Sequence, residues 1–186
     1  MKTLKILGIS GSLRKESYNL SLLNAAAKLL PVGVELEIYS LDRLPMYNQD
    51  LEYAENPAIT EFKTKIKEAD AILFSSPEYN YSIPGVLKNA IDIASRPWGD
   101  NNWTGKPAAI MGATVGSLGT SRMQYHLRQV LVSLDMYLLN KPELMVSTAQ
   151  DKINPSGVLS DEHAQEKIAE LLIALVNWTN KLSKKE

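Results

Sequence analysis

Three short runs in this chain are apolar on consecutive positions rather than alternate ones. They are Ile6, Leu7 and Ile9 within Lys5 to Ser10, AILFS from Ala71 to Ser75, and PAAIMGA from Pro107 to Ala113. A strand with no polar face is buried on both sides, which happens where helices cover both faces of a parallel sheet. The segments between these runs carry apolar residues at helical spacing. Leu20, Leu23, Ala27 and Leu30 do so in Asn19 to Leu30, and Phe62 and Ile66 do so in Thr60 to Ala69. Val86, Leu87, Ala90 and Ile93 follow the opening Ile83-Pro84-Gly85, and a further helix is expected over Thr120 to Leu134. A last helix starts at a Ser160 cap, with Asp161 and Glu162 in its first turn and Ile168, Leu171, Leu172, Leu175, Val176 and Leu182 inward. Val34 to Tyr39 reads as a second strand. A fifth enters at Tyr137 to Leu139, breaks at Pro142 and resumes over Glu143 to Val146. The alternation predicts an α/β three-layer sandwich on a five-stranded parallel sheet. The 186 residues suit a single domain, 1–186.

Several kinds of chemistry are excluded early. The chain has no cysteine, so it has no thiolate nucleophile, disulfide or Cys-ligated metal. His126 and His163 are far apart in sequence and form no conventional metal cluster, so no metal is expected. A net charge of −1 offers no basic face for nucleic acid or an anionic membrane. The first apolar run stops at Gly8, too soon for a secretion signal or a membrane span, and a cytoplasmic location is expected.

In open parallel sheets ligands bind beyond the C-terminal strand ends, where strand order reverses. The loops after the first, third and fourth strands should therefore carry the function. The first runs from Gly8 to Asn19 and joins a buried strand to a helix N-terminus, whose free N–H groups favour an anion. Ser10, Ser12, Ser17 and Asn19 offer short donors, Arg14 a charged fork, and Gly11 a tight turn. Ser17 or Asn19 could instead cap the helix, with Arg14 a solvated charge. The loop has neither the Gly-x-Gly-x-x-Gly of dinucleotide domains nor the Gly-Lys-Ser/Thr of P-loop NTPases. A monophosphate held without turnover, such as that of FMN, suits it better. The second loop, Ser75 to Ala90, has Pro77 and Pro84 to stiffen it, Tyr79 and Tyr81 as aromatic surface, and Asn80 to pair along a pyrimidine-like edge. That is a wall for a flat heteroaromatic ring, although the tyrosines could equally be ordinary packing. Glu78 reads as a capping or loop-orienting residue in preference to a catalytic acid. In the third loop Gly116 and Gly119 allow close approach of a ligand, with Ser117 a weaker candidate.

GSLRKxSxN (Gly11 to Asn19) together with PEYNxSxPGxLKNAxD (Pro77 to Asp92) resembles the signature of the NADPH-dependent FMN reductase family. The similar branch contains chromate and quinone reductases and azoreductases. The resemblance extends over nearly the whole chain. It implies a flavodoxin-like fold, FMN as cofactor, NADPH or NADH as co-substrate, and a small-molecule electron acceptor. It also implies FMN-phosphate contacts from Ser12, Arg14, Ser17 and Asn19, ring contacts from Pro77, Glu78, Tyr79, Asn80 and Tyr81, and a further contact from Thr114. Similar reductases use an Arg, a Tyr and a Glu between subunits near the flavin. This implies interface roles for Arg122, Tyr125 and Glu143 and a homodimer or homotetramer; an intrachain surface pair is the alternative. His126 is expected to pack or hydrogen-bond, and His163 to sit on the surface. Ser95 to Thr104, with two tryptophans, could shape the acceptor pocket, an interface or a plain loop. Rival readings are a one-electron carrier like flavodoxin, a non-catalytic flavin-binding or scaffold module, and a nucleotide hydrolase. The last lacks paired metal-binding carboxylates near the first loop.

Overall fold

The structure, a computed structural model, describes residues 3–183. The chain alternates β1 (Leu4–Ser10), α1 (Tyr18–Lys28), β2 (Val34–Tyr39), α2 (Pro57–Glu68), β3 (Ala71–Ser75), α3 (Gly85–Ala94), β4 (Pro107–Ala113), α4 (Ser121–Ser133), β5 (Tyr137–Leu138), β6 (Leu144–Val146), α5 (Ala149–Lys152) and α6 (Glu162–Ser183). All strand pairs are parallel, in the order β2-β1-β3-β4-β5, and β6 pairs with β4 beyond β5. The expected fifth strand is therefore two short pieces along one edge of β4, split at Pro142. The order is that of flavodoxin-like sheets, whose switch point lies between β1 and β3.

Successive side chains in a strand face opposite sides, so each central strand feeds two cores. Ile72 and Phe74 of β3 join Leu7, Ile9, Ala108 and Ile110 under α2, α3 and α4. Ala71 and Leu73 join Ile6, Ala109 and Met111 under α1 and α6. This is the predicted three-layer sandwich.

Two details differ from the sequence reading. Ser160 does not cap the last helix; its hydroxyl donates to Lys152 O, and Asp161 Oδ1 accepts from Ala164 N instead. The short helix α5 was not expected. Beyond these, Trp98 and Trp103 divide the Ser95–Thr104 segment. Trp103 is fully buried against Phe62 and Phe74 and donates its indole N–H to Ile91 O, whereas Trp98 is exposed. The long segment after β2 is tied down by Asn89 of α3, which donates to Pro45 O and accepts from Tyr47 N. Further along it, the buried carboxylate of Glu52 receives Arg96 and the Tyr47 hydroxyl. Arg96 first, then Tyr47, holds Glu52 below the usual carboxylate range against the opposing effect of burial.

Candidate active site

The three loops converge above the C-terminal ends of β1, β3 and β4. The first crosses the end of β3 closely: Gly11 N donates to Ser75 O at 2.8 Å. A Cβ on Gly11 would lie 2.7 Å from Ser76 Cβ, so only glycine lets the strands converge there. Ser12 then turns its hydroxyl to the solvent side, accepting from Arg14 N at 3.2 Å and lying 3.5 Å from Tyr79 Oη on the second loop. Ser17 is the N-cap of α1 and accepts from Asn19 N and Leu20 N. Its own hydroxyl proton remains available to an anion at the helix terminus, so capping and phosphate binding are compatible.

Two residues expected at the phosphate also make hydrogen bonds within the fold. Asn19 is buried, and its side-chain amide bonds within the fold. Nδ2 donates to Ala113 O at 2.9 Å, and Oδ1 accepts from Ala113 N at 2.8 Å. Ser75 Oγ donates to its carbonyl and its side chain as well. Asn19 is thus a strut joining α1 to the ends of β3 and β4, with one Nδ2 hydrogen and the Oδ1 committed to Ala113. Arg14 is exposed and folded back on its own loop. Its Nε donates to Glu16 O at 2.9 Å, its Nη2 also reaches that oxygen, and the guanidinium lies 4.9 Å from the Tyr18 ring centroid.

The second loop is built around a two-residue turn. Tyr79 and Ser82 exchange both backbone hydrogen bonds, at 3.1 and 2.9 Å. Asn80 and Tyr81 between them have φ of 49° and 69°. Two left-handed residues in this position make a type I′ turn, which usually takes Asn-Gly. Pro77 is buried at the start of the loop, and Tyr79, Asn80 and Tyr81 are exposed above it. The Glu78 carboxylate is buried, pairs with Arg122, and accepts from Met123 N at 3.1 Å. It therefore caps α4, whose own N-cap residue Thr120 makes no side-chain cap. Its expected structural role is what the carboxylate performs, leaving only its backbone for a ring. The hydrogen bond to Glu78 is the main cause that raises Arg122 further above its ordinary range. His126 Nδ1 lies 3.1 Å from Ser82 Oγ, the hydrogen-bonding role expected of it, and His163 is exposed.

In the third loop Thr114 is fixed by its backbone, through Thr114 N to Val146 O and Ala149 N to Thr114 O. Its half-buried side chain lines a cleft of about 410 Å³ shared with Asn80, Tyr81, Gly116, Ser117 and Arg122. Gly116 has open space around it, as close approach of a ligand requires. Gly119 lines the same cleft, and its φ of +61° and the closeness of Met145 of β6 also require glycine there. Sequence reasoning missed Gly112. A side chain there would collide with Ser76 O and Thr120 Oγ1, so this glycine seats the second loop against α4. A glycine inside an otherwise apolar strand was the available signal.

The three residues implied at a subunit interface are paired within the chain. Tyr125 Oη donates to Glu143 Oε1 at 2.9 Å, Lys141 Nζ reaches Glu143 Oε2 at 2.7 Å, and Arg122 holds Glu78. Lys141 first, then Tyr125, holds Glu143 below the usual carboxylate range.

A hydroxyl-lined loop at a helix terminus, beside a rigid aromatic turn and a glycine-rich loop at a β1/β3 switch point, defines a flavodoxin-like mononucleotide-binding protein. The donor set fits FMN: Ser12 and Ser17 hydroxyls for a phosphate, backbone and amide groups of a turn for a ring edge, and no metal cluster among the described residues. Comparison with known proteins makes this specific. The chain belongs to the NADPH-dependent FMN reductase family, whose profile matches residues 4–151. It is 51% identical over 181 residues to an NAD(P)H-dependent FMN reductase of Pseudomonas aeruginosa, covering 96% of this chain and 97% of the relative. It is 40% identical to a 2-hydroxy-1,4-benzoquinone reductase of a Burkholderia species, covering 94% and 96%. Among solved structures it resembles FerB, a flavoenzyme NAD(P)H:(acceptor) oxidoreductase of Paracoccus denitrificans. The TM-score is 0.88 at 34% identity, covering 96% of this chain and 98% of that one.

Proposed function

We propose that this chain is an FMN-dependent NAD(P)H oxidoreductase that reduces quinones or similar small electrophiles. The observation that carries the reading is the pairing, across one crevice, of the Ser12–Ser17 anion site with the rigid Pro77–Tyr81 turn. Family membership and relatives named for FMN and quinone reduction support the same activity. FMN, when bound, supplies a ring that accepts and returns a hydride. The protein's tasks are to bind and orient. Ser12, Ser17 and Arg14 would hold the phosphate. Pro77 to Tyr81 and Thr114 would hold the ring edge, and the open side of the cleft would take nicotinamide and acceptor in turn. Sharing one face predicts ping-pong kinetics. No side-chain acid or base is required by this scheme, and the one buried carboxylate of the cleft, Glu78, is committed to Arg122 and α4.

In this reading the whole chain works as a single domain in the cytoplasm and assembles as a homodimer or homotetramer. No described helix is long and apolar enough to cross a membrane. A one-electron carrier would call for an acidic docking surface, which a net charge of −1 does not supply. The test is anaerobic titration of the FMN-loaded protein with NADH and NADPH, followed by a panel of quinones. Full bleaching by a pyridine nucleotide and recovery on quinone addition support the reductase. A persistent one-electron flavin form on stepwise reduction identifies the carrier, and a protein that takes up no FMN identifies the scaffold.

A further inference from the structure

Arg122 does something in this chain that its expected interface role does not describe. Its guanidinium carbon stands 3.6 Å from the centroid of the Tyr81 ring. The same guanidinium is paired with the buried carboxylate of Glu78, which also accepts from Met123 N. Arg122 is therefore fixed at its far end by a residue of the very loop whose tip it covers. That tip is strained. Tyr81 has φ 69°, a region in which a side chain crowds the following carbonyl and which glycine occupies freely. Asn80 before it has φ 49°, which asparagine tolerates better than other non-glycine residues. Only the two Tyr79–Ser82 backbone bonds hold the turn from within, and Tyr81 itself is exposed. Within the chain the exposed Tyr81 has little packing to offset a left-handed backbone, and its ring is in contact with Arg122.

We propose that Arg122 is a positioning residue. By stacking on Tyr81 while anchored to Glu78, it holds the Asn80–Tyr81 turn in its left-handed form before FMN arrives, so that the turn presents a ready-made edge to the ring. This rests on the FMN reading above and adds to it the residue that preorganises the site. Lysine can keep the charge beside Glu78, but it cannot offer a planar face to Tyr81 and a fork to the carboxylate at once.

The test is FMN titration of the apo-protein by fluorescence quenching, in a set of variants. Arg122→Lys is expected to weaken FMN binding by about three- to tenfold, the upper figure corresponding to about 1.4 kcal/mol. Tyr81→Ala removes the ring but keeps a Cβ in the left-handed region, whereas Tyr81→Gly removes ring and strain together. The alanine variant should therefore bind FMN about tenfold more weakly than the glycine variant, again about 1.4 kcal/mol. In the Tyr81→Gly background, Arg122→Lys should change affinity by less than about twofold, because additivity fails where two residues act through one contact. Hydrogen exchange gives a readout that needs no flavin: the Ser82 amide, which donates to Tyr79 O, should exchange faster in the Arg122→Lys apo-protein than in the parent. Equal effects of Arg122→Lys in the Tyr81 parent and in the Tyr81→Gly background would overturn the proposal, as would equal FMN affinities of the alanine and glycine variants. If the parent itself takes up no FMN, the FMN reading fails, and an unchanged Ser82 exchange rate then defeats the clamp separately.

Discussion

Replacing Asn19 by alanine separates two roles that the sequence could not. In the structure its amide serves both backbone groups of Ala113, at 2.8 and 2.9 Å, in a position where the residue is 2% exposed. Asn19→Ala leaves the Ala113 N–H and C=O without partners in a site closed to water. Each such buried group costs about 1–3 kcal/mol, so the pair should cost roughly 2–6 kcal/mol. Native domains hold only about 5–15 kcal/mol in total. At roughly 2–4 °C of melting temperature per kcal/mol for a domain of this size, the midpoint should fall by about 4–24 °C. The assay is thermal unfolding of the apo-protein followed by circular dichroism, beside FMN titration of the same sample. The decisive comparison is with Ser12→Ala, which removes a half-buried hydroxyl and should leave the apo-protein's midpoint within about 2 °C while weakening FMN. An Asn19→Ala apo-protein that melts with the parent and loses only FMN affinity would refute the strut and restore Asn19 as a phosphate ligand.

Three other outcomes follow from the same structure. Gly112→Ala places a Cβ against Ser76 O and Thr120 Oγ1, and should destabilise the protein by about 1–3 kcal/mol in urea titration while weakening FMN through the displaced second loop. Trp103→Ala empties the core between Phe62 and Phe74 and should cost about 3–5 kcal/mol, whereas Trp98→Ala should move the urea midpoint little. Glu52, Asp100 and Glu143 are each held below the carboxylate range, chiefly by hydrogen bonds from Arg96, Lys63 and Lys141 respectively. Groups with depressed folded values stabilise the protein fully above their unfolded values, and that contribution is lost as pH falls through the folded ones. Melting temperature should therefore be flat from neutrality down to about pH 5 and decline below it, and Glu52→Gln should shallow that decline.

The fold was legible because its central strands are unambiguous. Ala71–Ser75 and Pro107–Ala113 are apolar on both faces and can be nothing but central parallel strands once helices flank them. The Gly11–Asn19 and Pro77–Asp92 motifs located the site for the same reason, since each follows such a strand. What was not legible was how polar groups divide between fold and ligand. Asn19 and Glu78 stand in the motifs among residues that face the cleft, yet both side chains turn inward, one to Ala113 and one to Arg122 and Met123. Sequence spacing gives the loop but not the direction of each side chain within it. Ser160 lost its cap to its neighbour Asp161 for a similar reason: two adjacent residues can each cap, and tertiary contact with Lys152 O decides between them. The left-handed backbone at Tyr81 carried no sequence signal, because the residue most expected there is glycine.

A crystal structure of the FMN-reconstituted protein tests the central claim most directly. The phosphate should lie within hydrogen-bond reach of the Ser12 and Ser17 hydroxyls, with the ring edge against Pro77 to Tyr81. Flavin bound elsewhere on the chain, or a phosphate that leaves those two hydroxyls untouched, would contradict the account.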